Sequence, residues 1–132
     1  MGCYLPCTGH IAIINLHRHL DGSPTSPRNA RVMVRDALAS CREIDVRDTA
    51  ELLTSELVTN ALLHAGTDVT VHVEDHGSAV RIGVEDGSDD EPTLGELDSI
   101  DLGGRGLPLV AAMAQSWGWE PLPHGKLVWF EV

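Results

Sequence analysis

Residues 56 to 66 read ELVTNALLHAG, and three of them could do chemistry. Glu56 and Asn60 stand one helical turn apart, with His64 a turn further on. Four residues turn a helix through ~400°, so Glu56 and Asn60 project within ~40° of each other. Leu52, Leu53, Leu57, Ala61 and Leu63 surround them, so this helix is expected to be buried. A carboxylate on such a surface is costly unless it is paired, hydrated or bound to a metal, and no Lys or Arg lies within a turn. Together the two side chains offer hard oxygen donors. Mg²⁺ takes one or two such protein oxygens and completes its shell with water and phosphate. The same pair could instead sit on a solvent-facing edge or cap neighbouring loops.

Two further stretches add complementary groups. In VEDGS, residues 84 to 88, alternation puts Asp86 on the face of Val80, Ile82 and Val84, the face that helices should cover. An unpaired acid there would be costly, whereas one accepting from a ligand amine would not; a plain Asp-Gly turn at a strand end is the alternative. In LGGRGLPLVAAM, residues 102 to 113, Gly103, Gly104 and Gly106 leave amides uncovered just before a helix. Such an end concentrates free N–H donors and the positive pole of the helix dipole, as a phosphate site needs. No Lys-Ser/Thr follows, so this is not a P-loop. A cation site, an acid and glycine amides would together make one nucleotide pocket.

The elements that must position these groups follow from periodicity. Ile11, Ile13, Ile14 and Leu16 suggest a first strand over 11–19. Ser26 as a cap and Pro27 open a helix expected over 27–42, with Ala30, Val34, Ala37, Leu38 and Cys41 on one face. The second helix is expected over 46–65, capped by Asp45 and stopped by Gly66. TDVTVHVEDHGSAVRIGVEDG then reads as two strands about the turn HGS. Residues 88–106 lack a period and are rich in Asp, Glu and Gly, the mark of a lid or binding loop. GLPLVAAMAQSW reads as a helix and WGWEPLPHGKLVWFEV as two closing strands. The class is therefore α+β: a single-domain two-layer α/β sandwich, its mixed, mostly antiparallel sheet covered by helices on one face. Residues 1–10 form an N-terminal extension and 11–132 the domain.

Composition narrows the function. The 132 residues carry 20 acidic and 9 basic side chains, a net charge of −11. Nucleic acid and anionic membranes would repel such a chain, so no direct nucleic-acid or membrane partner is expected. No apolar run approaches the ~20 residues that span a bilayer. Pro6 stands where a myristoylation signal needs Ser or Thr, and no basic region precedes an apolar one as in a secretory signal. Cys3, Cys7 and Cys41 are an odd, low count, which fits reduced thiols in a cytoplasm. Cys3, Cys7 and His10 could form a metal site or belong to a loose N-terminal segment.

Order and spacing add a resemblance. SELVTNALLHA, VEDGS, GGRGLPLV and HGKLVWFEV resemble blocks of the GHKL ATP-binding domain shared by DNA gyrase, the heat-shock chaperone ATPase, histidine kinases and the MutL repair ATPase. They look most like the stand-alone actinobacterial members related to anti-sigma-factor serine kinases, across residues 25–132. The resemblance implies ATP and Mg²⁺ as ligands, with Asn60 on Mg²⁺ and Glu56 as general base or orienting acid. It implies Asp86 as acceptor for the adenine amino group, and Gly104, Gly106 and Leu107 as lid backbone around the phosphates, with Arg105 reaching toward them. His64 would be structural.

Two departures stand out: Ser88 in the adenine block takes the position where the family usually has Gly, and HGKLVWF lacks the usual Thr, with Val128 nearest. Asp89, Asp90, Glu91, Glu96, Asp98 and Asp101 would weaken ATP binding unless they face water. The implied function is an anti-sigma-factor-like serine kinase. It would phosphorylate an antagonist protein, sequester a sigma factor, or do both. The alternative is a nucleotide-holding module that works by binding a partner; a third reading has no nucleotide at all. A chain this short leaves no room for the dimerisation helices of a histidine kinase. A homodimer through residues 11–42 is implied.

Overall fold

Strict alternation builds the centre of the sheet. Val69, Val71 and Val73 of β2 (Val69–Asp75) and Val80, Ile82 and Val84 of β3 (Val80–Asp86) are all buried, and each strand ends on a buried acid. The computed structural model describes residues 14–39, 42–88 and 106–132. The expected N-terminal extension, Cys41 and the acidic loop from 89 to 105 lie outside the described residues.

The chain runs β1 (Ile14–Leu20), α1 (Ser26–Leu38), α2 (Ile44–His64), β2, β3, α3 (Gly106–Met113), β4 (Ser116–Leu122) and β5 (Gly125–Glu131). The sheet order is β1-β2-β3-β5-β4, and every neighbouring pair is antiparallel. The α+β sandwich is as the sequence implies, but the sheet is wholly antiparallel rather than mixed. β5 inserts between β3 and β4, so the last strand of the chain pairs with β3. All three helices cover one face. Ala30, Met33, Val34 and Leu38 of α1, Leu53, Leu57 and Val58 of α2 and Val110 of α3 meet the inward side chains of the sheet, with Phe130 fully buried among them.

Several boundaries differ from the sequence reading. β1 runs to Leu20, one residue beyond the expected end, in register with β2 as far as Val69. Ser26 is the first residue of α1 rather than its cap, because its buried hydroxyl donates to the Asp21 carbonyl. That helix stops at Leu38 instead of 42. α2 starts at Ile44, which places Asp45 inside the first turn where its charge meets the helix dipole. Gly66 ends α2 as expected: its φ is 66°, and its N–H donates to the Ala61 carbonyl at 3.2 Å. α3 ends at Met113, since Gln115 already donates to the Glu131 carbonyl and Trp117 pairs with Phe130. Pairing with β5 therefore takes Ser116 and Trp117 out of the expected helix.

Among the described residues the other face of the sheet carries no helix. Trp129 lies across Gly118, where an added Cβ would come within 2.7 Å of the indole. The Arg81 guanidinium stacks 4.0 Å above the same ring and donates to Glu131 at 3.0 Å, while the Ser116 hydroxyl donates to the other Glu131 oxygen at 3.0 Å. The Arg81 hydrogen bond, reinforced by Ser116, holds the Glu131 carboxyl below the usual range. A carboxyl depressed in the folded state adds stability above its unfolded pKa, and that stability fades as pH falls through the folded pKa. Urea unfolding at falling pH should show an acid-sensitive component that Glu131→Gln abolishes. An unchanged acid limb in that variant would remove Glu131 as its source.

Candidate functional site

The long helix α2 sets one wall. Ala50, Leu53, Thr54, Leu57, Val58 and Ala61 form its buried stripe, while Leu52 and Leu63 are 39 % and 51 % exposed. Glu56 and Asn60 are half-buried on the shoulder between those sides. The sequence reading expected apolar residues all round them; Leu52 and Leu63 in fact face outward, and the pair borders the core instead of sitting within it. Thr54, the buried polar residue of the stripe, is satisfied by donating to the Ala50 carbonyl at 2.7 Å.

Asn60 is not satisfied in this way. Its Oδ1 is buried and has no hydrogen-bond partner among the described residues. Leaving such an acceptor open costs ~1–3 kcal/mol. A neutral amide oxygen is a hard donor of the type Mg²⁺ accepts, so the residue fits that ion. Among the described residues no group of three His, Cys, Asp or Glu could hold a metal, so Mg²⁺ here would depend on water and phosphate for most of its shell. Glu56 makes no side-chain hydrogen bond or ion pair among the described residues, and His64 is exposed.

The second wall is where β3 ends and β5 begins. Asp86 and Lys126 face each other in register across these strands, both on the inward face. Lys126 Nζ lies 3.2 Å from Asp86 Oδ1 and 3.1 Å from Oδ2, with side chains 9 % and 4 % exposed. The Ser88 N–H donates to Asp86 Oδ1 at 2.8 Å, and the Gly87 N–H to the Thr67 hydroxyl at 3.0 Å. Gly125 permits the approach. Its φ is 154°, and an added Cβ would stand 1.9 Å from the Asp86 carbonyl oxygen. Any side chain there would force the two strand ends apart.

Asp86 is therefore not the unpaired acid assumed from the sequence; Lys126 neutralises it without any ligand. The signal was present. Lys126 shares the parity of Val128 and Phe130 in HGKLVWFEV, so the alternation that turned Asp86 inward also turned Lys126 inward. Asp75, at the opposite end of β2, is likewise buried and paired, accepting from Arg42 Nε at 3.1 Å and from the Gly77 N–H at 2.9 Å.

Helix α2 packs against both β3 and α3, so the elements carrying the expected residues adjoin. Asp86 and Ser88 are brought into direct contact. Glu56 and Asn60 share one helix shoulder, and among the described residues no hydrogen bond links either to Asp86. Gly106 and Leu107 open α3, the helix start the sequence implies, while Gly104 and Arg105 lie outside the described residues.

The same fold occurs in the crystal structure of the RsbU and RsbW domains of Rv1364c from Mycobacterium tuberculosis, with a TM-score of 0.69 and 19 % sequence identity over 89 % of this chain. The match takes in 32 % of that chain, so this sequence corresponds to about a third of it. No family model matches the chain, and no curated protein matches it. At this identity the likeness shows the fold alone.

The Asp86–Lys126 pair can be measured directly. Breaking a buried pair from one side leaves an uncompensated charge, at a cost of ~3–5 kcal/mol. Asp86→Asn and Lys126→Met should each destabilise the fold in urea by about that amount, and the double variant by clearly less than their sum. Additive losses would mean that the two groups do not balance each other.

Proposed function

We propose that this chain is an ATP-binding regulatory domain acting as an anti-sigma-factor-like serine kinase. The buried Oδ1 of Asn60, without a hydrogen-bond partner among the described residues, carries the reading, because a buried acceptor of this kind calls for an ion, a ligand or a water beside it. Support comes from its turn-apart neighbour Glu56, from the buried acceptor Asp86, and from the adjoining helix start at Gly106. The fold shared with the solved RsbU and RsbW domains of Rv1364c adds support.

Asn60 would hold Mg²⁺ and Asp86 would accept from the adenine amino group. Ser88, the backbone of Gly104, Gly106 and Leu107, and Arg105 would complete the nucleotide site. Bound Mg²⁺ supplies charge neutralisation to the phosphates. Glu56 would take the proton from a Ser hydroxyl of an antagonist protein as that oxygen attacks the terminal phosphorus and ADP leaves. The net charge of −11 favours a partner surface with basic residues, on a sigma factor or its antagonist. Cytoplasmic location belongs to the same reading; among the described residues no helix is long and apolar enough to cross a membrane. β1 is a sheet edge, which suits a homodimer built on β1 and α1.

A second reading keeps the nucleotide and drops the transfer, so that the domain works by binding a partner. Ser88 in the adenine block and the acids from Asp89 to Asp101 favour it, because both depart from a site built for tight ATP binding. Transfer of radiolabelled phosphate from ATP to a cognate antagonist, lost in Glu56→Ala, supports the kinase. A partner complex that forms without transfer and is indifferent to Glu56→Gln supports the module.

Calorimetry tests what both readings share. Wild type should bind ATP more tightly with Mg²⁺ than without. Asn60→Ala should lose that Mg²⁺ dependence and at least about tenfold in affinity, the scale of one interaction with a charged group. Asp86→Ala should bind more weakly with or without Mg²⁺. No heat of binding and no thermal stabilisation of wild type by MgATP would overturn the nucleotide reading.

A further inference from the structure

Lys126 has no role in the function proposed above, yet it places a buried ammonium at the site. A lysine normally carries its ammonium out to water along its flexible stem. Here the head turns inward at the first inward-facing position of β5, opposite Asp86. An ammonium has three N–H donors and no acceptor. Among the described residues it donates to Asp86 Oδ1 at 3.2 Å and lies 3.1 Å from Oδ2 as an ion pair. Oδ1 also takes the Ser88 N–H, whereas Oδ2 has only the ion-pair contact with Lys126 among the described residues. A carboxylate oxygen can accept twice. N–H donors on Nζ and lone pairs on Oδ2 thus lie side by side without a further partner among the described residues.

A buried donor beside a buried acceptor is the complement of a heterocycle edge on which an amino group adjoins a ring nitrogen. We propose that Lys126 is a specificity-determining residue of the base site, donating to the adenine ring nitrogen N1 while Asp86 accepts from the neighbouring 6-amino group. The inference rests on the nucleotide reading above and extends it to a residue outside that reading. It also explains how the base can bind without breaking the ion pair. The ligand fills the two open valences, and the contacts between Lys126 and Asp86 stay in place. Gly125 belongs to the same device, because only a glycine lets β5 approach the Asp86 backbone closely enough to set the ammonium there.

The test compares MgATP with Mg-1-deaza-ATP, in which a C–H replaces N1 and the amino group is kept, by calorimetry on the intact chain. Wild type should bind the deaza analogue at least about tenfold more weakly, the range of one hydrogen bond from a charged donor. Lys126→Met should bind the two ligands equally. Equal binding of both by wild type overturns the role of Lys126 and leaves the nucleotide reading standing. Discrimination that persists undiminished in Lys126→Met also overturns it. Failure of wild type to bind either ligand removes both the role and the reading. If Lys126→Met does not fold, the wild-type comparison alone decides.

Discussion

One buried charge has to be balanced where β3 meets β5. Alternation carries Asp86 to the same side as Val80, Ile82 and Val84, and there its carboxylate loses most of its water. Desolvating an ion in this way costs several kcal/mol, and only a close, well-formed partner offsets it. Lys126 is that partner, across one rung of the sheet. Stability alone does not account for the arrangement, since apolar residues of similar volume often serve as well or better in such a place. What an ion pair provides and an apolar pair does not is a polar edge, fixed in position, that a ligand can read.

The topology makes that edge rigid. β5 enters between β3 and β4, so Lys126 is held by strand pairing on both sides of its backbone. Gly125 brings the strand ends together, and the Ser88 N–H fixes the carboxylate from its own side of the turn. Helix α2 runs against the same strand and presents Glu56 and Asn60 from its shoulder. A shoulder is the position such a pair needs. On the buried stripe their polar atoms would be sealed off, and on the outer side they would be saturated with water. At the border, Asn60 Oδ1 is buried and has no hydrogen-bond partner among the described residues.

Much of this was legible in the sequence, for identifiable reasons. The valines of β2 and β3 alternate without exception, so their strands, their inward face and the inward turn of Asp86 followed from period two alone. Gly66 marked the end of α2 because only glycine takes its left-handed conformation without strain. Other features depended on contacts between distant residues. Ser26 looks like a cap locally, but the carbonyl of Asp21 claims its hydroxyl. Ser116 and Trp117 continue an apolar helical run, yet pairing with β5 draws them into a strand. Leu52 and Leu63 look like core, and which side of α2 faces the sheet is settled by packing. Lys126 was within reach of the same parity argument that found Asp86. It went unnoticed because lysine is so rarely a buried residue.

The central claim is that Asn60 and the Asp86–Lys126 edge belong to one nucleotide pocket. Its most direct test is paramagnetic. Mn²⁺ in place of Mg²⁺, added with ATP in small proportion, broadens the NMR signals of groups close to the metal. The side-chain amide of Asn60 should disappear under MnATP, while those of the exposed Asn15 and Asn29 persist. Persistence of the Asn60 signal with ATP demonstrably bound would contradict the account.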